Sequence, residues 1–374
     1  MSDDGTLIIG GGIAGAATAW HLARRGAEGV VLLERERDFG AHATAQNAAI
    51  LRTFTEGDAT GALAHETATF LMDPPDGFSE VPLLDPKGLI LQLGASGDEE
   101  LARWRATKPD PDAVRPLDAA ELQERFPWYS GPTEGAWLVE DEGEIDVAAL
   151  LEGYLRGARE AGCELRAGAE VARFIKTTNG IEGVVLSDGE ELRASKVIVC
   201  AGGWAGDLAR EAGSTLSFEP RRRHLMVTSA DEAVDAAWPI FWSQPEAFYT
   251  RPESGGMLLC ACDEEVVAPD ECTVDHEVGE RIAEKAARLV EGVMNAGCAH
   301  LWAGMRTFTS DDDFLIGPDP DVDGLYWAAA LGGHGVSCSA GVGRLAAEHI
   351  LGEDPSDDTA RALDPRRSQV TQLS

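Results

Sequence analysis

Lysine is nearly missing from this chain. It occurs 5 times in 374 residues, and the 31 basic residues face 65 acidic ones, for a formal net charge of −34. A surface of that sign repels nucleic acid and anionic membranes, so neither is an expected partner. It suits a high-salt cytoplasm, where screening removes the self-repulsion, or equally an arginine-preferring genome. Long apolar runs are also absent, and none approaches the roughly 20 residues that a membrane-spanning helix needs. The first residues, MSDDGTLIIG, lack the basic start of a signal peptide, so a cytoplasmic protein with no integral membrane segment is expected. Cysteines number 7, an odd count scattered along the chain. Cys260 and Cys262 form C-x-C with Cys272 nearby, but no second pair stands at zinc-ribbon spacing. Free thiols in a reducing compartment are expected, and no metal site.

What is present begins at Thr6. The stretch TLIIGGGIAGAATAWHLARRGAEGVVLLER reads as an apolar strand (Leu7 to Ile9), a glycine turn, an alanine-rich helix (Ile13 to Arg25) and a second apolar strand (Val30 to Leu33) ending in Glu34. Gly10, Gly12 and Gly15 stand in G-x-G-x-x-G spacing. The first permits the tight turn, the second lets the backbone approach a pyrophosphate, and the third lets helix pack on strand. N–H groups at the helix start then face the phosphates, and Glu34 can accept from ribose hydroxyls. This stretch alone leaves NAD and FAD open.

The length suggests about two domains. Helices are expected at Ala59 to Met72, Glu99 to Lys108, Leu117 to Phe126 (N-cap Asp118), Val147 to Ala161 (N-cap Asp146), Arg281 to Ala296 and Val336 to Ile350. Strands are expected at Leu83 to Leu93, Gly135 to Val139, Cys163 to Ala167, Glu170 to Lys176, Ile181 to Leu186 with Glu191 to Arg193, Lys196 to Ala201 and Leu325 to Leu331. Return to a nucleotide-type strand at Lys196 implies an interrupted domain. The expected organisation is therefore α/β: a Rossmann-like FAD-binding domain from residues 1–85, 143–215 and 303–353, and an α+β substrate domain on a mainly antiparallel sheet from residues 86–142 and 216–302. Residues 354–374 read as a polar, loosely ordered tail.

Four segments carry a resemblance: IIGGGIAGAATAWHLARRG with LLERE, GAHATAQNAA, VIVCAGGWAGDL, and GLYWAAALGGHGVSCSAGVGRLAAEHI. In this order they resemble the D-amino-acid oxidase-like flavoprotein superfamily from Thr6 to Ile350. PPDGFSEVPLL, EPRRRHLMV, AFYTRPESGGMLL and HLWAGMRTF are similar to the bacterial FAD-dependent D-amino-acid (D-arginine-type) dehydrogenases. The resemblance implies FAD rather than NAD. It implies that Ala43 to Ala49 runs beside flavin and pyrophosphate, that Val171 meets adenine, and that the helix from near Val336 points its positive end at the flavin N1 edge. The expected cofactor residues are Gly10, Gly12, Ile13, Ala14, Gly15, Glu34, Arg35, His42, Ala43, Thr44, Asn47, Ala48, Val171, Ala201, Gly202, Trp204, Gly304, Gly333, His334, Gly335, Val336 and Ser337.

The resemblance also implies a substrate site of Arg222 and Arg306, which would grip a carboxylate, with Tyr249 as a hydroxyl donor. Alternatives stay open: Arg221 to Arg223 could be a solvated patch, and Arg306 could pair with one of Asp311 to Asp313. His334 could touch substrate, assist loss of the amine proton, or only pack. Three positions depart from the D-arginine pattern: Leu89 replaces the acid that would read a guanidinium, and Ile50 and Thr55 fall at its polar neighbours. A neutral side chain is therefore expected. About Gly304, where the sarcosine-oxidase branch attaches flavin through cysteine, no thiol stands, so FAD is expected to be non-covalent. Leu258 stands where that branch has its oxygen-activating lysine. The expected activity is thus FAD-dependent D-amino-acid dehydrogenation by hydride transfer, giving a 2-oxo acid and ammonia, with an unidentified electron acceptor. A sarcosine- or glycine-oxidase-like amine oxidase, or a flavin-binding subunit of a larger complex, is the alternative.

Overall fold

Strand β1 (Thr6–Ile9) lies parallel to β2 (Val30–Glu34), with helix α1 (Ile13–Arg24) as the crossover. The computed structural model describes residues 5–367 except 56, 94–96, 109, 179, 354 and 356. β1 is central in a six-stranded sheet of order Leu315–Pro318, Leu325–Ala329, Lys196–Val199, β1, β2, Glu164–Ala167. All neighbours are parallel except the first pair. Side chains alternate between two apolar layers. Ile8 and Leu32 enter the layer that includes α1 and the helices Val147–Glu160 and Ser339–Leu351, whereas Leu7, Ile9, Val31 and Leu33 enter the other. A sheet covered on both faces reads in sequence as unbroken apolar runs, which is what these strands show. The alanines of α1 let another helix come close: a Cβ on Gly343 would stand 2.7 Å from the Ala17 backbone.

The second sheet has nine strands. Glu219–Thr228 pairs with Cys298–Phe308, Gly256–Cys260 and the short Glu265–Val266. The sheet continues through Phe248–Glu253, Ile240–Ser243, Leu89–Gln92, Ala136–Val139 and Val114–Pro116. Only the pairing of Ile240–Ser243 with Leu89–Gln92 is parallel. One face packs on the helix His276–Leu289; the other carries Leu225, Val227, Tyr249, Leu258 and Cys260.

Several expectations need correction. The helix expected at Arg281 begins at His276, where Asp275 accepts the Glu277 N–H at 2.9 Å, and ends at Leu289 before a 3₁₀ turn. The helix expected at Val336 begins at Ser339, after a turn in which Cys338 N–H reaches the His334 carbonyl at 2.9 Å. Strand Cys298–Phe308 pairs with Glu219–Thr228 from end to end, so the boundary expected at 303 falls inside a strand. The polar tail includes a helix, Asp358–Leu363, with Ala360 and Leu363 in the core, and Arg367 clasps Asp311 at 2.8 Å. Residues 368–374 of that tail lie outside the described residues.

Where the sheet's Leu89–Gln92 end meets the strand Ile50–Leu51, four groups form a buried polar knot. Thr53 donates through its N–H to Glu142 at 2.8 Å and through its hydroxyl at 2.5 Å, and Lys108 lies 2.9 Å from Asp141 and 3.8 Å from Glu142. Burial pushes the Glu142 carboxyl above its usual range, against the pull of Lys108. Lys108→Met should lower stability by about 3–5 kcal/mol at neutral pH, since it strands a buried charge. The folded variant would hold the Glu142 proton more tightly than the unfolded chain, so its deficit should shrink as pH falls through the folded pKa. Thermal melts of both proteins across a pH series check this, and a deficit that grows in acid contradicts it.

Candidate active site

The turn after β1 is built by contacts that exclude side chains. Gly10 has φ +107°, and a Cβ on Gly15 would stand 2.0 Å from the Gly10 carbonyl. α1 has no side-chain cap at Gly12 and no acid in its first turn, although Ile13 N–H donates to Thr44 Oγ1 at 3.0 Å. The helix mouth therefore carries positive potential that no acid of its own first turn offsets. Glu34, buried at the end of β2, accepts N–H bonds from Gly11 at 2.7 Å and Glu36 at 2.8 Å. Those bonds hold the carboxylate at the cavity wall with lone pairs to spare.

These groups open on a cavity of about 430 Å³, within the usual range for small-molecule sites. Of the expected cofactor residues, Gly10, Gly12, Ile13, Ala14, Glu34, Arg35, His42, Ala43, Thr44, Asn47, Val171, Ala201, Gly202, Trp204, Gly333, Gly335 and Val336 line it. Gly15, Ala48, Gly304, His334 and Ser337 are not on the wall. Gly15 acts in helix packing, the Ala48 carbonyl accepts from Arg251 at 2.7 Å, and Gly304 abuts Gln46. The Ser337 hydroxyl donates to the His334 carbonyl at 3.1 Å, and His334 N–H to Leu331 at 2.7 Å. Gly40, Ala41 and Gln46, in the loop expected to run close to a ligand, also line it, and expectation missed Asp207 and Asp270. Asp270 comes from the substrate-side chain and accepts the Trp204 indole N–H at 2.9 Å, while Arg35 stacks on Trp204 with 3.9 Å to the ring centroid. Only tertiary structure brings these together.

At the far end stands Arg306. A Cβ on Gly333 would meet its Nε at 2.4 Å, so a bare glycine is what lets the arginine pass along the cavity wall. Its guanidinium takes part in no ion pair or hydrogen bond among the described residues; in particular Asp311 is taken by Arg367. Burial, followed by the charge of Arg223, lowers its pKa, the direction for a cation held without a counter-ion. Arg223, not Arg222, is its companion. On strand Glu219–Thr228 the alternation puts Arg221 and Arg223 on the face of Arg306, whose cross-strand partner is Arg221. Arg222 points to the opposite face, donating to the Thr273 carbonyl at 2.8 Å and pairing with Glu265 and, at 3.5 Å, Asp275. The expectation of Arg222 beside Arg306 fails by one residue of register, the shift that turns a side chain to the other face.

Tyr249 is buried on this same face, stacked on Trp242 with centroids 4.5 Å apart. Burial and then the neighbouring Cys260 raise its pKa, so the phenol keeps its proton. Arg52 lies on the other side of Trp242, 4.2 Å from the ring centroid. Of the three departures, Leu89 is wholly buried in the sheet's own core and Ile50 bridges two apolar clusters. The Thr55 hydroxyl is spent on the Gly57 carbonyl at 3.0 Å.

A nucleotide fold with apolar layers on both faces of its sheet, and a helix mouth with no acid in its first turn opening on a cavity, define a dinucleotide-binding protein. Residues 6–349 match the family of FAD dependent oxidoreductases, DAO, and the chain belongs to it. It is 25% identical over 375 residues to a glycine oxidase of Bacillus licheniformis, covering 98% of each chain. It is 26% identical over 397 residues to "FAD-dependent oxidoreductase domain-containing protein 1" of Bos taurus, covering 92% of this chain and 80% of that one. Its fold matches L-proline dehydrogenase from P. horikoshii with a TM-score of 0.85 at 20% identity, over 97% of both chains. The cofactor is FAD, and the glycine cradle, Glu34 and the cavity fit it. Among the described residues no helix is long and apolar enough to cross a membrane.

Proposed function

We propose that this chain oxidises a small neutral amino acid at its carbon–nitrogen bond. The observation that carries the reading is the Arg306 guanidinium, which lines the cavity without a protein carboxylate among the described residues. A planar guanidinium takes a carboxylate through two parallel hydrogen bonds, and this half-buried cation gains most when a carboxylate arrives. Arg223 is paired with Glu264, and the protonated Tyr249 phenol can donate. Bound FAD supplies a two-electron acceptor. The chain supplies orientation: holding the acid end fixes which C–H bond is presented, an effect worth several kcal/mol in barrier, on the order of 7. An imino acid so formed hydrolyses in water to a 2-oxo compound and ammonia or an amine.

A cationic substrate side chain is disfavoured near Arg306, whose charge no protein carboxylate neutralises. The sequence points to a D-amino acid, and the glycine oxidase relative favours glycine or an N-substituted glycine as the second reading. Leu258, buried beside Tyr249 and Cys260, supports slow reaction with oxygen and hence a dehydrogenase. Anaerobic flavin bleaching against D- and L-amino acids, glycine and N-methylglycine decides. Bleaching by neutral D-amino acids supports the first reading and bleaching by glycine types the second. Failure with every amino acid removes the proposal and favours a flavin-binding subunit.

A further inference from the structure

Seven cysteines are free, and three of them, Cys163, Cys200 and Cys338, are lone buried thiols that burial pushes up to about 12. Cys260 and Cys262 differ in kind. Cys260 ends strand Gly256–Cys260 directly across from Tyr249 on the same face, in the apolar cluster that Cys262 also touches. The chain then turns sharply: Cys262 takes φ +50°, and its N–H reaches back to Cys260 Sγ at 3.4 Å. Both sulfurs feel the charges of Arg223 and Arg306. Cys260 is wholly covered, whereas Cys262 keeps partial exposure, so a water-sized reagent arrives from the Cys262 side.

We propose that Cys260 and Cys262 are an oxidisable dithiol behind the cavity wall, within reach of the charges of Arg306 and Arg223, which hydrogen peroxide closes to a disulfide, thereby altering carboxylate binding at Arg306. The cations favour one shared negative charge on the pair. Burial alone would raise the Cys260 thiol, but the neighbouring Cys262 and the arginine charges outweigh it and bring it down to about 6. A thiolate is the reactive form. Its sulfur attacks one peroxide oxygen and breaks the O–O bond, leaving as a sulfenic acid while hydroxide takes up a proton to become water. The second thiol then attacks that sulfur, the S–O bond breaks, and a second water departs. Two thiols lose two electrons and two hydrogens, and one peroxide becomes two waters. Closure removes the thiolate that partly offsets Arg306 and Arg223, so a carboxylate should bind more tightly. The last step rests on the carboxylate reading of Arg306; the thiol chemistry does not.

The FAD-loaded protein is treated with hydrogen peroxide and assayed by thiol count, by peptide mass and by acetate titration of the flavin absorbance. We expect two thiols lost, a cross-link between residues 260 and 262, reversal by dithiothreitol, and acetate affinity raised about tenfold, a change of about 1.4 kcal/mol. Cys262→Ser should instead stop at a sulfenic acid on Cys260, which dimedone traps once the protein is unfolded in its presence, and Cys163→Ser should behave as the unaltered chain. Persistence of both thiols, or bonding of either to another cysteine, overturns the dithiol. Closure with unchanged acetate affinity overturns its link to the site. Acetate binding in neither state removes the carboxylate reading of Arg306 while leaving the disulfide result standing.

Discussion

Arg306→Leu should raise KM for the bleaching amino acid by about a hundredfold or more while the protein stays yellow. The reasoning is one of unequal partners. The guanidinium has no protein carboxylate to lose, so its removal leaves no carboxylate unpaired within the fold and should not lower stability; it relieves the cost of a half-buried cation. What disappears is the bidentate grip on a carboxylate, and breaking a charge-assisted pair of this kind costs about 2–5 kcal/mol, or 30- to several thousand-fold. Arg306→Lys should recover part of the loss, because the charge returns without the fork. Arg222→Leu provides the contrast. Its side chain serves Thr273, Glu265 and Asp275 on the opposite face of the strand, so it should lower thermal stability and leave KM nearly untouched. An Arg306→Leu enzyme with unaltered KM, or an Arg222→Leu enzyme with the hundredfold loss, would reverse the assignment of the two arginines.

That pair also shows what could be read from the chain alone. The β1–α1–β2 unit was legible nearly to the residue, because its determinants are local: an apolar run, glycines at fixed spacing, and an acid at the end of the next strand. The cavity wall contributed by Glu34, His42 to Thr44 and Val171 followed from the same spacing and from resemblance. Which of Arg222 and Arg223 faces Arg306 was not legible. A run of three arginines presents alternate faces, and only the cross-strand partner, Arg221 to Arg306, settles the register. The clasp of Asp270 on Trp204 joins residues 66 apart in sequence and has no local signal at all. The helix at His276 carried a cap in Asp275 that the apolar pattern, starting later, concealed. The tail looked polar because its two core residues, Ala360 and Leu363, are few, yet they and the Arg367 to Asp311 pair are enough to hold it on the fold. Among its charges, Arg367 is held against Asp311, while Asp358, Arg361 and Arg366 face solvent.

Gly15→Val should leave a protein that cannot hold FAD. The argument is steric. The Gly10 carbonyl lies 2.0 Å from where a Cβ would stand and cannot yield without moving β1, which is hydrogen-bonded on both sides to β2 and Lys196–Val199. Forcing bulk into such a joint typically costs about 1–3 kcal/mol, occasionally more, out of a total stability of about 5–15 kcal/mol. The helix would relieve the clash by lifting its first turn, which is the part that faces the diphosphate. Affinity for FAD should therefore fall much further than stability does. Gly12→Ala separates the two effects. Its Cβ would meet only the Thr44 hydroxyl, at 3.1 Å, so the fold should persist while the approach to the cavity narrows. Gly26→Ala, with φ +78° but open space around it, should cost about 1 kcal/mol through strain alone and leave FAD in place. The order of FAD loss on gel filtration should thus be Gly15→Val, then Gly12→Ala, then Gly26→Ala. Retention of a yellow colour in Gly15→Val would mean that the close contact between helix and strand is not what positions the cofactor, and the cradle would have to be sought elsewhere on the cavity wall.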